Sequence, residues 1–290
     1  MIGRCSLRVK STARRGVSDI TLRRKAAIGD AIWATSIFRA LSKRAADRGG
    51  KLYFSTSVPG EFFEGNAWLT GGVVGAEVFG ELIDLTDSYE KTPNLHPMLC
   101  YARDAGVSEL DIDPPYIPVL DHKHTGAIVI HPATSWQNRT LSAEFWQSLM
   151  VALKDTFPHR EVVLIGTKAE LSRIEVNTPK VSGSWSAIRR VIAGAGVFIG
   201  SDSGPLQIAA ASDVPAIGLY TCALGELRRP LKSIVPFVAV ETSAECRGCL
   251  HRQPAPVRFY DCDFTDDSRF KCRDMFSVSK IAEIAREIVV

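Results

Sequence analysis

Residues 196–220 have the sequence GVFIGSDSGPLQIAAASDVPAIGLY, and this stretch decides the fold. Apolar runs at 196–199 and 216–220 predict buried parallel strands, while the small apolar residues at 206–211 predict a helix lying close to a sheet. A turn before a helix N-terminus favours anion binding, although an ordinary strand–helix turn has the same composition. The predicted turn and the proline that suits a helix start are Ser201, Asp202, Ser203, Gly204 and Pro205.

A second unit of the same kind begins the globular part of the chain. Residues 20–24 predict a strand, and the apolar residues of 31–46 recur at helical spacing. The loop between them contains Gly29, which allows close backbone approach, and Asp30. Asp30 is either a helix N-cap alone or a functional carboxylate.

Alternation of strands and helices continues along the chain and predicts parallel sheets covered by helices. The interpretation includes a helix at 168–176 and a linker across the prolines of 114–118 and the polar residues of 121–125. The predicted fold class is α/β, with two Rossmann-like doubly wound domains facing a cleft. The predicted divisions are a basic arm (1–17), an N-terminal acceptor-binding domain (18–123), a C-terminal nucleotide-sugar-binding domain (124–240), a cysteine-rich metal-binding segment (241–276) and a C-terminal helix (277–290).

Composition indicates a globular protein. The chain has 290 residues, 46% hydrophobic and 23% charged, with a net charge of +3. It contains no apolar run of about 18 residues and no apolar signal core, so we expect neither a membrane span nor secretion. The basic residues crowd the first 25 positions, which favours either a solvated arm or an arm that contacts a polyanion such as DNA.

Four of the seven cysteines cluster near the C-terminus: Cys246, Cys249, Cys262 and Cys272. The odd total and the lack of a signal segment favour a reducing, cytoplasmic compartment. Four thiolates suit a structural zinc or iron ion; free or disulfide-linked thiols and a redox pair are the alternatives. His251 is interpreted as a surface histidine rather than a substitute ligand.

The carboxyl ends of parallel strands meet at one edge of each sheet, so two such domains place their loops around one cleft. Asp30 then lies on the first wall. The second wall carries the loops after three further strands: His131 to Arg139, Gly166 to Lys168 with Thr167 between them, and Ser201 to Gln207.

Four segments in this order resemble glycosyltransferase family nine, the heptosyltransferase-like enzymes of GT-B architecture. They are AIGDAIWATSIFRAL (27–41), HPATSWQNRTLSAEFW (131–146), VVLIGTKAE (162–170) and the opening stretch. The resemblance implies a nucleotide-sugar donor on the C-terminal domain and an acceptor on the N-terminal domain. The cysteine segment is similar to the iron-binding finger of autotransporter heptosyltransferases, with different later spacings.

Residue by residue, the resemblance implies that Asp30 is the general base and that Arg139 contacts donor phosphate. It also implies that Asp202 and the turn Ser203, Gly204 and Pro205 face the diphosphate. A histidine is usual where Gln207 stands, and Gln207 can donate a hydrogen bond to phosphate without carrying charge.

The function expected from these residues is inverting glycosyl transfer from a nucleotide-diphosphate sugar to an acceptor hydroxyl. No catalytic metal is expected, because Arg139 and backbone N–H groups can meet the leaving group's charge. The acceptor classes are a lipopolysaccharide core sugar, a protein side chain or a modified DNA base. The alternative is a nucleic-acid- or protein-binding module with a zinc-finger-like four-cysteine site.

Overall fold

A computed structural model describes residues 18–123, 125–251, 262 and 269–290. Within them the strands form two parallel sheets, which confirms the predicted fold class. The first sheet has the order β3-β2-β1-β4 and the second β10-β9-β8-β5-β6-β7. The strands are β1 (Ile20–Arg24), β2 (Leu52–Thr56), β3 (Gly72–Val74), β4 (Glu81–Asp84), β5 (Ala127–His131), β6 (Val162–Ile165), β7 (Lys180–Val181), β8 (Ala195–Ser201), β9 (Ala216–Tyr220) and β10 (Phe237–Glu241).

Helices connect these strands. Several begin at a serine whose hydroxyl accepts a backbone N–H of the first turn, as at Ser142, Ser184 and Ser277. The helices are α1 (Ile28–Ala34), α2 (Phe38–Ala46), α3 (Pro97–Asp104), α4 (Ala143–Thr156), α5 (Lys168–Leu171), α6 (Trp185–Ala193), α7 (Gly204–Ala211), α8 (Gly225–Arg228) and α9 (Val278–Ile288). Short 3-10 turns lie at Thr35–Ile37, Gly60–Phe62, Glu109–Asp111, Gln137–Arg139, Cys249–His251 and Lys271–Arg273.

The single helix predicted over 31–46 is divided in the structure. The Thr35 hydroxyl donates to the Ile32 carbonyl (2.6 Å), and the Ser36 hydroxyl donates to the Trp33 carbonyl (2.7 Å). Such side-chain bonds to the preceding turn compete with regular helix geometry, and a 3-10 turn separates α1 from α2 here.

The helix predicted over 168–176 is shorter than expected, because α5 ends at Leu171. The Lys180 ammonium donates to the carbonyls of Leu171 (3.1 Å) and Ile174 (2.6 Å). Because the lysine donates hydrogen bonds to these carbonyls, they do not require the backbone N–H groups of a further helical turn. Strands β3 and β10 were not predicted: β3 is only three residues long, whereas the apolar run in β10 could have indicated a strand.

One hydrophobic core extends across both sheets. It includes Leu22 and Phe54 of the first sheet together with Val129, Phe198 and Leu206 of the second sheet and its helices. A separate core lies under α4 and α9. The shared core follows from the packing of α1 directly against α7.

The predicted linker lies packed between the sheets. The N–H of Ile117 donates to the carbonyl of Ala211 (3.2 Å), and the buried Arg189 guanidinium donates to the carbonyls of Pro118 (2.7 Å) and Glu61 (2.8 Å). These bonds join the linker, the first domain and α6. The domain boundary between residues 123 and 124 stays a prediction. The strands of the first sheet precede it and those of the second sheet follow it.

Two predicted segments are not covered. The basic arm (1–17) lies outside the described residues, as does most of the cysteine-rich segment, at 252–261 and 263–268. Within the described part of the chain, no helix has both the length and the apolar character needed to cross a membrane.

Candidate active site

Two glycine-containing helix starts meet where the sheets face each other. A Cβ atom on Gly29 would lie 3.3 Å from Cγ of Gln207, and one on Gly204 would lie 3.4 Å from Cβ of Ile28. Both positions therefore leave little room for a larger residue. This contact brings the first turn of α1, which carries Asp30, beside the first turn of α7. The N-cap of α1 is Ala27, so the interpretation of Asp30 as a helix N-cap is wrong.

The Asp30 carboxylate is held by two groups from its own domain. Its Oδ1 atom accepts a hydrogen bond from the Tyr89 hydroxyl (2.8 Å) and lies 3.4 Å from Nη2 of Arg24. Burial raises the pKa of Tyr89 well above its usual value, and the charge of Asp30 adds to this effect. Tyr89 is therefore a proton-bearing donor at neutral pH, and it fixes the position of one carboxylate oxygen.

Arg24 is a buried cation at the centre of this wall, with a side chain only 2% exposed. Its guanidinium donates to the Leu85 carbonyl (2.9 Å) and to Glu90 Oε1 (2.7 Å), and it lies 5.1 Å from the Tyr89 ring centroid. Burial opposes its charge, but Tyr101, Asp30 and Glu90 outweigh burial and raise the pKa of Arg24. Arg24 was not predicted as a site residue, although it ends β1 shortly before Asp30.

On the opposite wall, Arg139 and Asp202 form an ion pair. Nη1 of Arg139 lies 2.9 Å from Oδ2 of Asp202, and the guanidinium carbon lies 3.9 Å from the Trp136 ring centroid. Both charged side chains are largely buried. The structure thus brings together two residues that the resemblance placed at the donor phosphates, and it adds a tryptophan that supports the guanidinium.

His131 and Ser203 also meet on this wall, with Nδ1 of His131 3.3 Å from the Ser203 hydroxyl oxygen. Burial lowers the pKa of His131 to about 4, opposed by Glu170, so the imidazole is neutral at pH 7. Thr167 forms a capping box with Glu170, in which the Thr167 hydroxyl accepts the Glu170 N–H (3.2 Å). Pro205 lies in the first turn of α7, which begins one residue earlier, at Gly204.

Gln207 has a different environment from the expected one. Its side chain is 2% exposed; Oε1 accepts a hydrogen bond from Trp33 Nε1 (3.0 Å), and Nε2 donates to the Arg228 carbonyl (3.1 Å). The amide therefore bridges the first domain and α8. A hydrogen bond from this amide to donor phosphate would have to compete with these contacts.

Two histidines, neither of them predicted as a site residue, also join the domains. His96 accepts the Met98 N–H at Nδ1 (3.1 Å), and its Nε2 lies 2.6 Å from the Arg229 carbonyl oxygen, to which it must donate. Burial lowers the pKa of His96 to about 4, against the effect of the Arg229 carbonyl. His251 is buried, with Nδ1 2.8 Å from the Pro93 carbonyl oxygen, so its interpretation as a surface histidine is wrong.

The comparisons with known proteins identify the family of this chain. A sequence profile described as glycosyltransferase family 9 (heptosyltransferase) matches residues 101–255, which is more than half of the chain. The chain belongs to glycosyltransferase family 9. This confirms the suspected family and the expectation of an enzyme that transfers a glycosyl group. No curated protein sequence matches the chain.

Solved structures show the same fold. The glycosyl transferase family 9 protein from Veillonella parvula DSM 2008 is 14% identical and aligns over 93% of this chain and 96% of that chain, with a TM-score of 0.69. The iron-containing dodecameric glycosyltransferase TibC from enterotoxigenic E. coli H10407 is 12% identical and aligns over 93% of this chain and 75% of that chain, with a TM-score of 0.68. E. coli heptosyltransferase WaaC with ADP is 12% identical and aligns over 93% of this chain and 100% of that chain, with a TM-score of 0.58.

In this family 9 glycosyltransferase none of the four clustered cysteines forms a disulfide bond within the described residues. Cys272 interacts electrostatically with Cys246, Cys249 and Cys262, and the Phe270 N–H donates to Sγ of Cys262 (3.5 Å). Among the described residues, however, no group of three or more His, Cys, Asp or Glu side chains is placed to hold a metal ion. The cysteines are therefore neighbours without being arranged as a ligand set.

Proposed function

We propose that this enzyme transfers a sugar from a nucleoside-diphosphate donor to an acceptor hydroxyl, with inversion at the anomeric carbon. The observation that carries the proposal is the close approach of α1 to α7. That contact supports a site in which the Asp30 carboxylate, which Tyr89 orients, faces the Arg139–Asp202 pair and the start of α7. A carboxylate facing a phosphate-binding wall is the arrangement that direct displacement requires.

Asp30 is the proposed general base. Because Oδ1 is held by Tyr89, Oδ2 is the oxygen that accepts the acceptor hydroxyl's proton. The acceptor oxygen then forms its bond to the anomeric carbon as the bond from that carbon to the diphosphate oxygen breaks. One displacement inverts the configuration, and the nucleoside diphosphate leaves with the bonding electrons.

The leaving diphosphate is proposed to lie against Arg139, Ser203 and the first turn of α7. The first backbone N–H groups of a helix have no intrahelical partner, so those of Gly204 and Leu206 suit phosphate oxygens. Structures of two fold relatives were solved with bound nucleoside diphosphates: WaaC with ADP and TibC with ADP-D-beta-D-heptose. These relatives support a nucleotide-sugar donor and leave its sugar open.

The experiment begins with a thermal-shift screen of ADP, GDP, UDP and their sugar conjugates, since a ligand that binds only the folded state raises Tm. The donor found is then assayed for transfer to each of the three acceptor classes. Asp30→Asn should keep donor affinity and lower kcat by about 10²- to 10⁴-fold. The matched control is Asp113→Asn, because Asp113 forms its ion pair with Arg39 instead (2.7 Å). Equal turnover by the wild-type enzyme and Asp30→Asn would refute the assignment.

We also propose that Cys246, Cys249, Cys262 and Cys272 hold a structural zinc or iron ion. The support is the donor chemistry of four neighbouring thiols, together with the iron in the fold relative TibC. Among the described residues the four sulfur atoms are not placed to coordinate one ion, so metal binding would require them to move closer together.

Elemental analysis of the purified chain tests this second proposal. We expect about one zinc or iron ion per chain, and its loss in Cys249→Ser. Cys100→Ser, which changes a buried thiol outside the cluster, should retain the ion. Metal-free protein from an anaerobic preparation would contradict the proposal.

A further inference from the structure

Arg228 is a buried cation between the two walls of the cleft. It is the last residue of α8 and is 5% exposed. Its guanidinium carbon lies 5.0 Å from the Tyr89 ring centroid, and its Nη1 donates to the neighbouring Leu227 carbonyl (3.1 Å). The side chain thus extends from the second domain to the tyrosine that orients Asp30.

The charge of Arg228 has no acidic partner in the described part of the chain. The ion pairs found there include those of Arg24 and Arg139, but none joins Arg228 to a carboxylate. Burying an uncompensated charge is costly, and a cation–π contact with one tyrosine offsets only part of that cost. Arg24, by comparison, faces both Glu90 and Asp30.

Several titratable groups that interact with Arg228 are neutral at pH 7, among them His96, Tyr89, Tyr220 and Cys100. Burial lowers the pKa of His96 to about 4, and Arg228 contributes to that lowering. Burial raises the pKa values of Tyr89, Tyr220 and Cys100 above their usual ranges, against the effect of Arg228. The guanidinium therefore lies beside neutral groups, while Asp30 and Asp202 pair with Arg24 and Arg139, so the positive charge of Arg228 is left for a ligand.

The backbone of Arg228 is fixed relative to the proposed donor wall. Its carbonyl accepts a hydrogen bond from Gln207 of α7, and α8 is anchored because the Gly225 N–H donates to Glu241 Oε1 (2.8 Å). Tyr220 interacts electrostatically with both Asp202 and Arg228. Arg228 consequently lies on the same side of the cleft as the Arg139–Asp202 pair.

We propose that Arg228 binds the diphosphate of the donor and stabilises its charge as it leaves, an inference that rests on the proposed function. In an inverting displacement one sugar ring separates the base from the departing phosphate. Arg228 belongs to the proposed donor domain and contacts Tyr89, the residue that orients Asp30. This position suits contact with the phosphate that is bonded to the sugar. Arg139 and Arg228 then flank the leaving group, and the site is complete only when both domains are in contact.

The test compares Arg228→Met and Arg228→Lys with Arg229→Met, a matched loss of charge at an exposed neighbour. The probes are ADP, GDP, UDP and inorganic pyrophosphate, titrated calorimetrically into the full chain. We expect Arg228→Met to raise the Kd of the bound diphosphates about tenfold or more, because it removes a charge-assisted contact. Arg228→Lys should recover part of this loss, and Arg229→Met should stay within about twofold of wild type.

Thermal unfolding of the ligand-free variants separates this role from a structural one. Loss of an uncompensated buried charge should leave the Tm of Arg228→Met equal to or above that of wild type, whereas loss of a structural guanidinium would lower it. Equal diphosphate affinity in wild type and Arg228→Met, or a change confined to the acceptor KM, overturns the assignment. If the wild-type chain binds none of the probes, the proposed function fails, and this assignment fails with it.

Discussion

Replacing Gln207 with leucine tests whether this residue joins the two domains or serves the donor. The amide accepts from Trp33 Nε1 and donates to the Arg228 carbonyl, and it is almost completely buried. Leucine fills a similar volume without either hydrogen bond. Gln207→Leu therefore leaves one buried donor and one buried acceptor without partners.

The expected cost follows from those two groups. Each buried polar group left without a partner costs about 1–3 kcal/mol, and burial of the apolar leucine returns a part of this. We expect Gln207→Leu to lower the free energy of unfolding by about 2–4 kcal/mol. Trp33→Phe removes the donor together with part of the buried ring, and it should cost at least about 1–3 kcal/mol. The double variant should cost less than the sum, because the two side chains share one hydrogen bond.

Urea unfolding at pH 7, followed by both circular dichroism and tryptophan fluorescence, measures these values; agreement between the probes licenses a two-state treatment. The Kd of the donor diphosphate is measured on the same variants and should change much less than stability does. A loss below about 1 kcal/mol, with strictly additive single variants, would refute the bridging role. Weakened diphosphate binding in a fully stable Gln207→Leu would show that the amide serves the donor instead.

Three further results are expected. Tyr89→Phe should lower kcat about tenfold with little change in donor KM, because it loses the charge-assisted bond that orients Asp30; an equal loss in donor affinity would contradict this. Asp202→Asn should raise donor KM about tenfold by releasing Arg139, and steady-state kinetics at saturating acceptor should detect it; unchanged KM would count against the pairing. His96→Asn keeps a helix-capping side chain but removes a histidine whose pKa burial lowers to about 4. Since the unfolded chain protonates this group near pH 6.5, wild type loses stability as the pH falls from 6.5 towards 4. The variant should lose about 2 kcal/mol less between pH 7 and pH 5 in urea unfolding, and equal losses would refute the linkage.

Much of the scaffold was predictable because local apolar runs determine buried parallel strands. The segments 127–131 and 216–220 agree with β5 and β9 at both ends. The contact between the starts of α1 and α7 was predictable for a related reason, since parallel strands place their following segments at one edge of each sheet. The family resemblance then assigned chemistry to that edge.

The site residues that were not predicted lie where the local sequence pattern carries little information. Tyr89 stands in an irregular segment after β4, and its proximity to Asp30 depends on the first sheet's order rather than on sequence spacing. Arg228 and Arg229 are adjacent and chemically alike, yet one is buried and the other exposed. Only the tertiary contact with Tyr89 distinguishes them. The occupied amide of Gln207 likewise depends on Trp33, which is 174 positions away.

The hydrophobic core that extends across both sheets also bears on how substrates enter and leave. A wide rotation of one domain away from the other would expose side chains such as Trp33 and Leu206, at a cost of about 1.5–3 kcal/mol for each large one. Turnover therefore favours local opening of loops at the rim over separation of the domains. On the proposed function, release of the nucleoside diphosphate through such loops would occur on the microsecond-to-millisecond timescale typical of gating, while the proposed base and diphosphate site keep their relative position from one cycle to the next.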